Sequence, residues 1–174
     1  MRMESDTLKH PTVPERKARG KNARTASPRS GPGAWKPDPN RRDPVDIIQE
    51  GTQDAIAALV PIRYGRMSAS PFTFYRGTAA IMAADLAGTP NSGISAQLCG
   101  DAHLSNFGLF GSPDRALLFD VNDFDETLPG PWEWDLKRLA ASFVLAARDN
   151  GLGKKAQREV AMRSAAAYRT AICR

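Results

Sequence analysis

The fold turns on Cys99-Gly-Asp-Ala-His-Leu-Ser-Asn106, on Leu118-Phe-Asp-Val-Asn-Asp-Phe-Asp-Glu126 after it, and on Trp134-Asp135. Ile94 to Cys99 is apolar enough for a strand and is bounded by Ser92-Gly93 and Gly100, so the glycine turns the chain at a strand end. That places Asp101 in a loop at a sheet edge, with Asn106 five residues on. Phe107–Phe110 and Ala116–Val121 flank Ser112-Pro-Asp114, which reads as a turn between two strands. Asp123 then falls just past the second strand, within a hairpin's reach of the Asp101 loop. Phosphoryl transfer from a nucleotide requires such a set. One carboxylate orients the acceptor hydroxyl, an amide oxygen and a second carboxylate hold magnesium, and the metal spreads the charge of the transferring group.

After Pro129-Gly-Pro131 the apolar period becomes helical. Leu136, Leu139, Ala140, Phe143, Val144 and Ala147 share one face, and Asn150-Gly151 ends the element. A last helix is expected from about Lys154 to Cys173. Upstream, Asp43-Pro44 opens a helix whose stripe (Ile48, Ala55, Ile56, Leu59) runs to Pro61. A loop carrying Arg63 and Arg66 should follow, then the aromatic run Phe72 to Tyr75, then a short helix from Thr78 to Ala87. The fold class is therefore α+β.

Charge divides the chain of 174 residues at about Asp43. Residues 1–43 hold 11 Lys/Arg against 5 Asp/Glu and carry six prolines, whereas the remaining 131 hold 13 against 14. The first segment reads as a disordered basic tail, because it lacks the apolar surface to offset the entropy of ordering it. The net +5 is thus a property of the tail. Nucleic acid is expected only through this segment, which otherwise acts as a solubilising tail. In the body, residues 100–135 contain eight acids and one base, a concentration that points to a metal cation.

Several classes are excluded. Two cysteines, Cys99 and Cys173, make no disulfide framework, and a cytoplasmic setting is expected. The longest apolar run, Leu139–Ala147, is too short to span a bilayer, so no membrane partner is expected. A calcium loop starting at Asp123 would need glycine at Leu128 and glutamate at Trp134. A nucleophilic triad finds only His103 in the body and no G-x-S-x-G elbow. Cys99 reads as inert core, and Trp132 and Trp134 as packing at a helix entrance. Lys137 and Arg138 read as solvated, or as ion-pair support for the acidic loop.

The Gly100-Asp101-x-His103-x-x-Asn106 pattern resembles the catalytic loop of protein-kinase-like folds, in particular the aminoglycoside and choline phosphotransferases. The resemblance implies Asp101 as base or hydroxyl orienter, and Asn106 and Asp123 as magnesium ligands. It makes Asp135, 12 residues after Asp123, a brace on the loop, and gives His103 a loop-shaping role. Asp125 joins the metal set; like Asp120 and Glu126, it reads equally as a metal or substrate ligand and as surface charge. The expected cofactors are Mg2+ and ATP or another nucleoside triphosphate, and the expected partner is a small-molecule acceptor with a hydroxyl or amine. A more specific match covers Arg66-Met, Ser70-Pro-Phe, Tyr75-Arg-Gly77, Cys99–Gly108, Asn122–Thr127 and Pro129–Leu139. These strings resemble the bacterial domain-of-unknown-function family numbered 2252, from roughly residue 45 to the end. Members of that family are longer, which makes residues 44–174 the N-terminal part of a kinase-like domain. Between Pro44 and Gly100 there is no lysine and no G-x-G-x-x-G, so a phosphate contact there falls to Arg63, Arg66 or Arg76. Arg76 is the candidate for the nucleotide, with a structural ion pair as its alternative.

Overall fold

The computed structural model describes residues 10–33 and 35–173. The described part is α+β, with seven helices and two small antiparallel sheets. The first helix, α1 (Val13–Ala26), lies inside the segment read as a disordered tail. Its cause is local. Thr12 caps the Glu15 amide while the Glu15 carboxylate accepts the Thr12 amide hydrogen at 2.7 Å, and Pro14 sits in the first turn. No residue of α1 is buried, so the helix adds nothing to the core. The end of the same segment is anchored. Arg41 forks onto both carboxylate oxygens of Asp85 at 2.5 and 2.8 Å, and Trp35 donates its indole N–H to the Asp85 carbonyl at 3.3 Å. Packing against the body thus begins before Asp43, while residues 1–9 lie outside the described residues.

The expected helical stripe up to Pro61 is two elements. Asp43 caps α2 (Pro44–Glu50) through the Val45 amide, and Gly51 ends it. A 3-10 turn, Ala57–Leu59, leads into α3 (Val60–Met67), so Arg63 and Arg66 stand on a helix rather than in a loop. The aromatic run is also helical, α4 (Pro71–Arg76), opened by a Ser70–Thr73 capping box. In both cases a proline that reads as a break occupies the first turn, where its missing N–H has no partner to lose. Next comes α5 (Ala79–Ala87), as expected.

Strand β1 (Ser95–Leu98) pairs with β4 (Leu128–Pro131) in the register Ser95↔Pro131 to Leu98↔Leu128. The sequence did not suggest β4, because Pro-Gly-Pro reads as a break. Prolines two residues apart put their missing donors on one edge, and a two-stranded ladder leaves that edge unpaired. Gly130 leaves room for the buried Leu98 side chain, whose Cδ1 would have to shift from a Cβ placed 2.8 Å away. Strands β2 (Phe107–Gly111) and β3 (Leu117–Val121) form the expected hairpin. Leu109, Leu117 and Phe119 lie exposed on one of its faces.

Helix α6 (Glu133–Asp149) organises the rest. It contacts α4, α5 and the 3-10 turn Leu104–Asn106, and runs back along α7 (Lys154–Ile172). Gly151, at φ +72°, makes the turn between α6 and α7. At the entrance of α6, Trp132 stacks on Tyr168 with ring centroids 5.7 Å apart and donates its N–H to Ser92 Oγ at 2.9 Å. Among the described residues the buried apolar side chains are few: Ile47, Met67, Ile81, Leu86, Leu98, Ala102 and Ala147.

Candidate active site on the Asp101 loop

The loop from Cys99 to Asn106 starts with a conformation reserved for glycine. Gly100 has φ +84°, and a Cβ there would sit 1.9 Å from the Glu126 carbonyl oxygen. This close approach brings the acidic segment after β3 against the turn that carries Asp101. Within the loop, His103 N donates to the Asp101 carbonyl at 2.7 Å, and the Asn106 Nδ2 amide donates to the same oxygen at 2.8 Å. Both His103 and Asn106 are buried.

One face of α6 tracks this loop. Asp135 accepts the Cys99 amide hydrogen at 2.7 Å and that of Gly100 at 3.1 Å. One turn later Arg138 pairs with the Asp101 carboxylate. A further turn on, Ser142, fully buried, accepts the Leu104 amide hydrogen at 2.9 Å. Positions i, i+3 and i+7 share a helix face, so α6 supports an extended loop at three points along it. Asp135 is pushed above the ordinary carboxylate range, chiefly by burial, against the pull of its two amide bonds and of Arg138.

For Arg138 the second expectation holds: it supports the acidic loop by pairing with Asp101, and it does so from a buried position, 2% exposed, rather than as a solvated side chain. Its Nη2 donates to the Tyr75 carbonyl at 2.9 Å, its Cζ lies 4.5 Å from the Tyr75 ring centroid, and the Tyr75 hydroxyl donates to the Arg138 carbonyl at 3.0 Å. Burial pushes the Tyr75 phenol up to about 12. On the other side of Asp101, His103 Nε2 lies 3.4 Å from Oδ2. His103 is held below its ordinary range, by burial first, with Arg138 and Arg76 adding to the effect and Asp101 opposing it. Its Nδ1 is buried without a partner. Tyr75 and Ser142 were missed as parts of the site. The available signal was the polar series Asp135, Arg138, Ser142 at helical spacing, opposite the apolar stripe.

Backbone amides tie together the segments that carry the expected metal residues. Asn122 N donates to the Asn106 carbonyl at 2.8 Å, tying the residue before Asp123 to the loop. Asn106 spends its amide N–H on Asp101, which leaves its side-chain oxygen as an acceptor. Asp123 is exposed, and its Oδ1 accepts the Asp125 amide hydrogen at 3.2 Å; the link from Asp125 is thus through its backbone. Among the described residues no three His, Cys, Asp or Glu side chains gather into a metal cage. One amide oxygen and one carboxylate fit a hard cation that keeps waters and phosphate oxygens as its other ligands. Arg76, exposed at the end of α4, is near enough to act on His103 electrostatically, and forms no ion pair among the described residues. Cys99 is part-buried, its thiol pushed up to about 11 by burial and by the carboxylates of Asp135, Asp101 and Asp123.

The fold and loop therefore define an α+β domain with a helix-braced, carboxylate-bearing loop beside an acidic hairpin exit. The chain belongs to the bacterial family described as "Uncharacterized protein conserved in bacteria (DUF2252)", whose family model matches residues 55–174. No curated protein and no solved structure matches it. Among the described residues, no helix is long and apolar enough to cross a membrane.

Proposed function

We propose that the chain carries the catalytic loop of a kinase-like, magnesium-dependent phosphotransferase that moves a phosphoryl group from a nucleoside triphosphate to a small-molecule hydroxyl or amine. The supporting observation is the closed Asp101–Asn106 loop. The Asn106 amide N–H is folded back on the Asp101 carbonyl, so that its oxygen is left for a cation, and Asp135 holds the two preceding amides from beneath. In this reading Asp101 receives the acceptor hydroxyl, and Asn106 and Asp123 hold the magnesium that arrives with the nucleotide. Bound there, the ion would neutralise charge on the transferring group. Arg76 is the candidate contact for a phosphate. The reading treats residues 44–174 as the N-terminal part of the catalytic domain, with further phosphate contacts supplied by other segments.

A second reading, a non-catalytic nucleotide- or metal-binding scaffold, draws on the absence of lysine between Pro44 and Gly100. Calorimetric titration of ATP with and without MgCl2 tests the shared premise. Binding that needs magnesium and weakens at least tenfold in Asp123→Ala supports a nucleotide–metal site. ATP affinity indifferent to both magnesium and Asp123 sinks it. Turnover of MgATP that disappears in a folded Asp101 variant then separates the enzyme from the scaffold.

A further inference from the structure

The Asp101 carboxylate is not a free side chain at the loop tip. Arg138 Nε and Nη2 both reach its Oδ1, and the guanidinium is itself held by the carbonyl and ring of Tyr75, whose hydroxyl ties the Arg138 main-chain carbonyl. The cation is 2% exposed, so water does not replace these partners. An aspartate normally turns about two side-chain bonds; a charge-assisted pair to a fixed guanidinium removes that freedom. Oδ2 is left, beside His103 and at the only part of the carboxylate not taken by the guanidinium. The Asp101 side chain keeps 17% of its surface accessible, so an acceptor can still reach it.

We infer that Arg138 is the positioning residue of this loop: it holds Asp101 through Oδ1 and presents Oδ2 as the single oxygen that receives the acceptor hydroxyl's hydrogen. The inference rests on the phosphotransferase reading for its chemistry and on the Arg138 contacts for its geometry. Lysine at 138 keeps the charge and loses the fork, so it separates orientation from electrostatics. A carboxylate misplaced by about 1 Å costs on the order of 100-fold in rate while substrate binding elsewhere is untouched.

The test combines a spectroscopic and a kinetic measurement on the full chain. In the wild type, the Arg138 Nε–H resonance should be resolved and protected from solvent exchange, and that protection should vanish in Asp101→Asn. A folded wild type whose Arg138 Nε–H exchanges like that of a surface arginine overturns the clamp, with no variant needed. For MgATP turnover, with water or an added polyol as acceptor, Arg138→Lys should lower kcat about 10- to 100-fold with KM for ATP unchanged. Equal kcat in folded Arg138→Lys overturns the positioning role. A wild type with a protected Nε–H whose ATP affinity is indifferent to magnesium refutes the phosphotransferase reading and upholds the clamp.

Discussion

The carboxylate of Asp135 accepts the amide hydrogen of Gly100 at 3.1 Å, and its other oxygen takes that of Cys99 at 2.7 Å. These two amides precede Asp101, so the start of the loop is fixed by a side chain from the first turn of α6. The loop therefore does not depend on its own short contacts to stay in place.

Asp135→Asn should be measurably destabilising. An asparagine has one acceptor oxygen and a donor group, so one of the two amides loses its partner and meets another N–H. Leaving one such donor unsatisfied costs about 1–3 kcal/mol, part of which is offset by no longer burying a charge. Urea denaturation should show a net loss of about 1–2 kcal/mol. A midpoint equal to that of the wild type would mean that the loop is held without this brace.

Two glycines separate backbone strain from collision. Gly151 has φ +72° with nothing within 4 Å of a Cβ, so Gly151→Ala should cost only about 1 kcal/mol. Gly100 has φ +84° and a Cβ position 1.9 Å from the Glu126 carbonyl oxygen. Gly100→Ala must therefore displace backbone as well, and a loss of at least about 3 kcal/mol is expected, on the scale of severe core strain. Similar losses at the two positions would show that the Glu126 segment yields freely.

The two cysteines should differ in reactivity. Thiolate is the reacting form, and the Cys99 thiol is pushed up to about 11, so near pH 8 it is almost wholly protonated. Cys173 is exposed. Mass spectrometry of iodoacetamide-treated native chain at pH 8 should find Cys173 modified at least tenfold faster than Cys99. Unfolding in urea should remove the difference. Equal native rates would place the Cys99 thiol in solvent.

What the sequence reveals follows from where each signal originates. Helices α6 and α7, strand β1 and the β2–β3 hairpin rest on periodicity and turn chemistry, which are local, and they lie within a few residues of their expected limits. Helices α3 and α4 were hidden because Pro61 and Pro71 signal a stop and a start equally well, and only the capping of Ser70 decides for the latter. Strand β4 exists because β1 supplies a partner, which Pro129-Gly-Pro131 does not announce. At the loop, Asp101, Asn106 and Asp135 stand out through the resemblance of their pattern to a kinase-like catalytic loop. Arg138 follows Lys137, and charge alone does not distinguish the two. What buries Arg138 is Tyr75, 63 residues earlier, a contact that no local pattern encodes.

That same contact sets an alkaline limit on stability. The Tyr75 phenol is raised to about 12 in the folded chain from an ordinary 10.0, mainly by burial, against the pull of Arg138. Below pH 10 both states keep the proton, and the stabilising effect is complete. Between pH 10 and 12 the unfolded chain releases it and the folded chain does not, so stability falls as pH rises. The slope approaches about 1.4 kcal/mol per pH unit for this one group. Tyr75→Phe removes that slope, and with it the hydroxyl's hydrogen bond to the Arg138 carbonyl, a loss of about 1 kcal/mol. The variant should therefore be less stable than the wild type at pH 8, and the gap should close or invert near pH 11.5. Urea midpoints of both chains measured from pH 8 to 12 decide it. Parallel curves across that range would mean that the hydroxyl meets solvent and that Arg138 is held by the ring and carbonyl of Tyr75 alone.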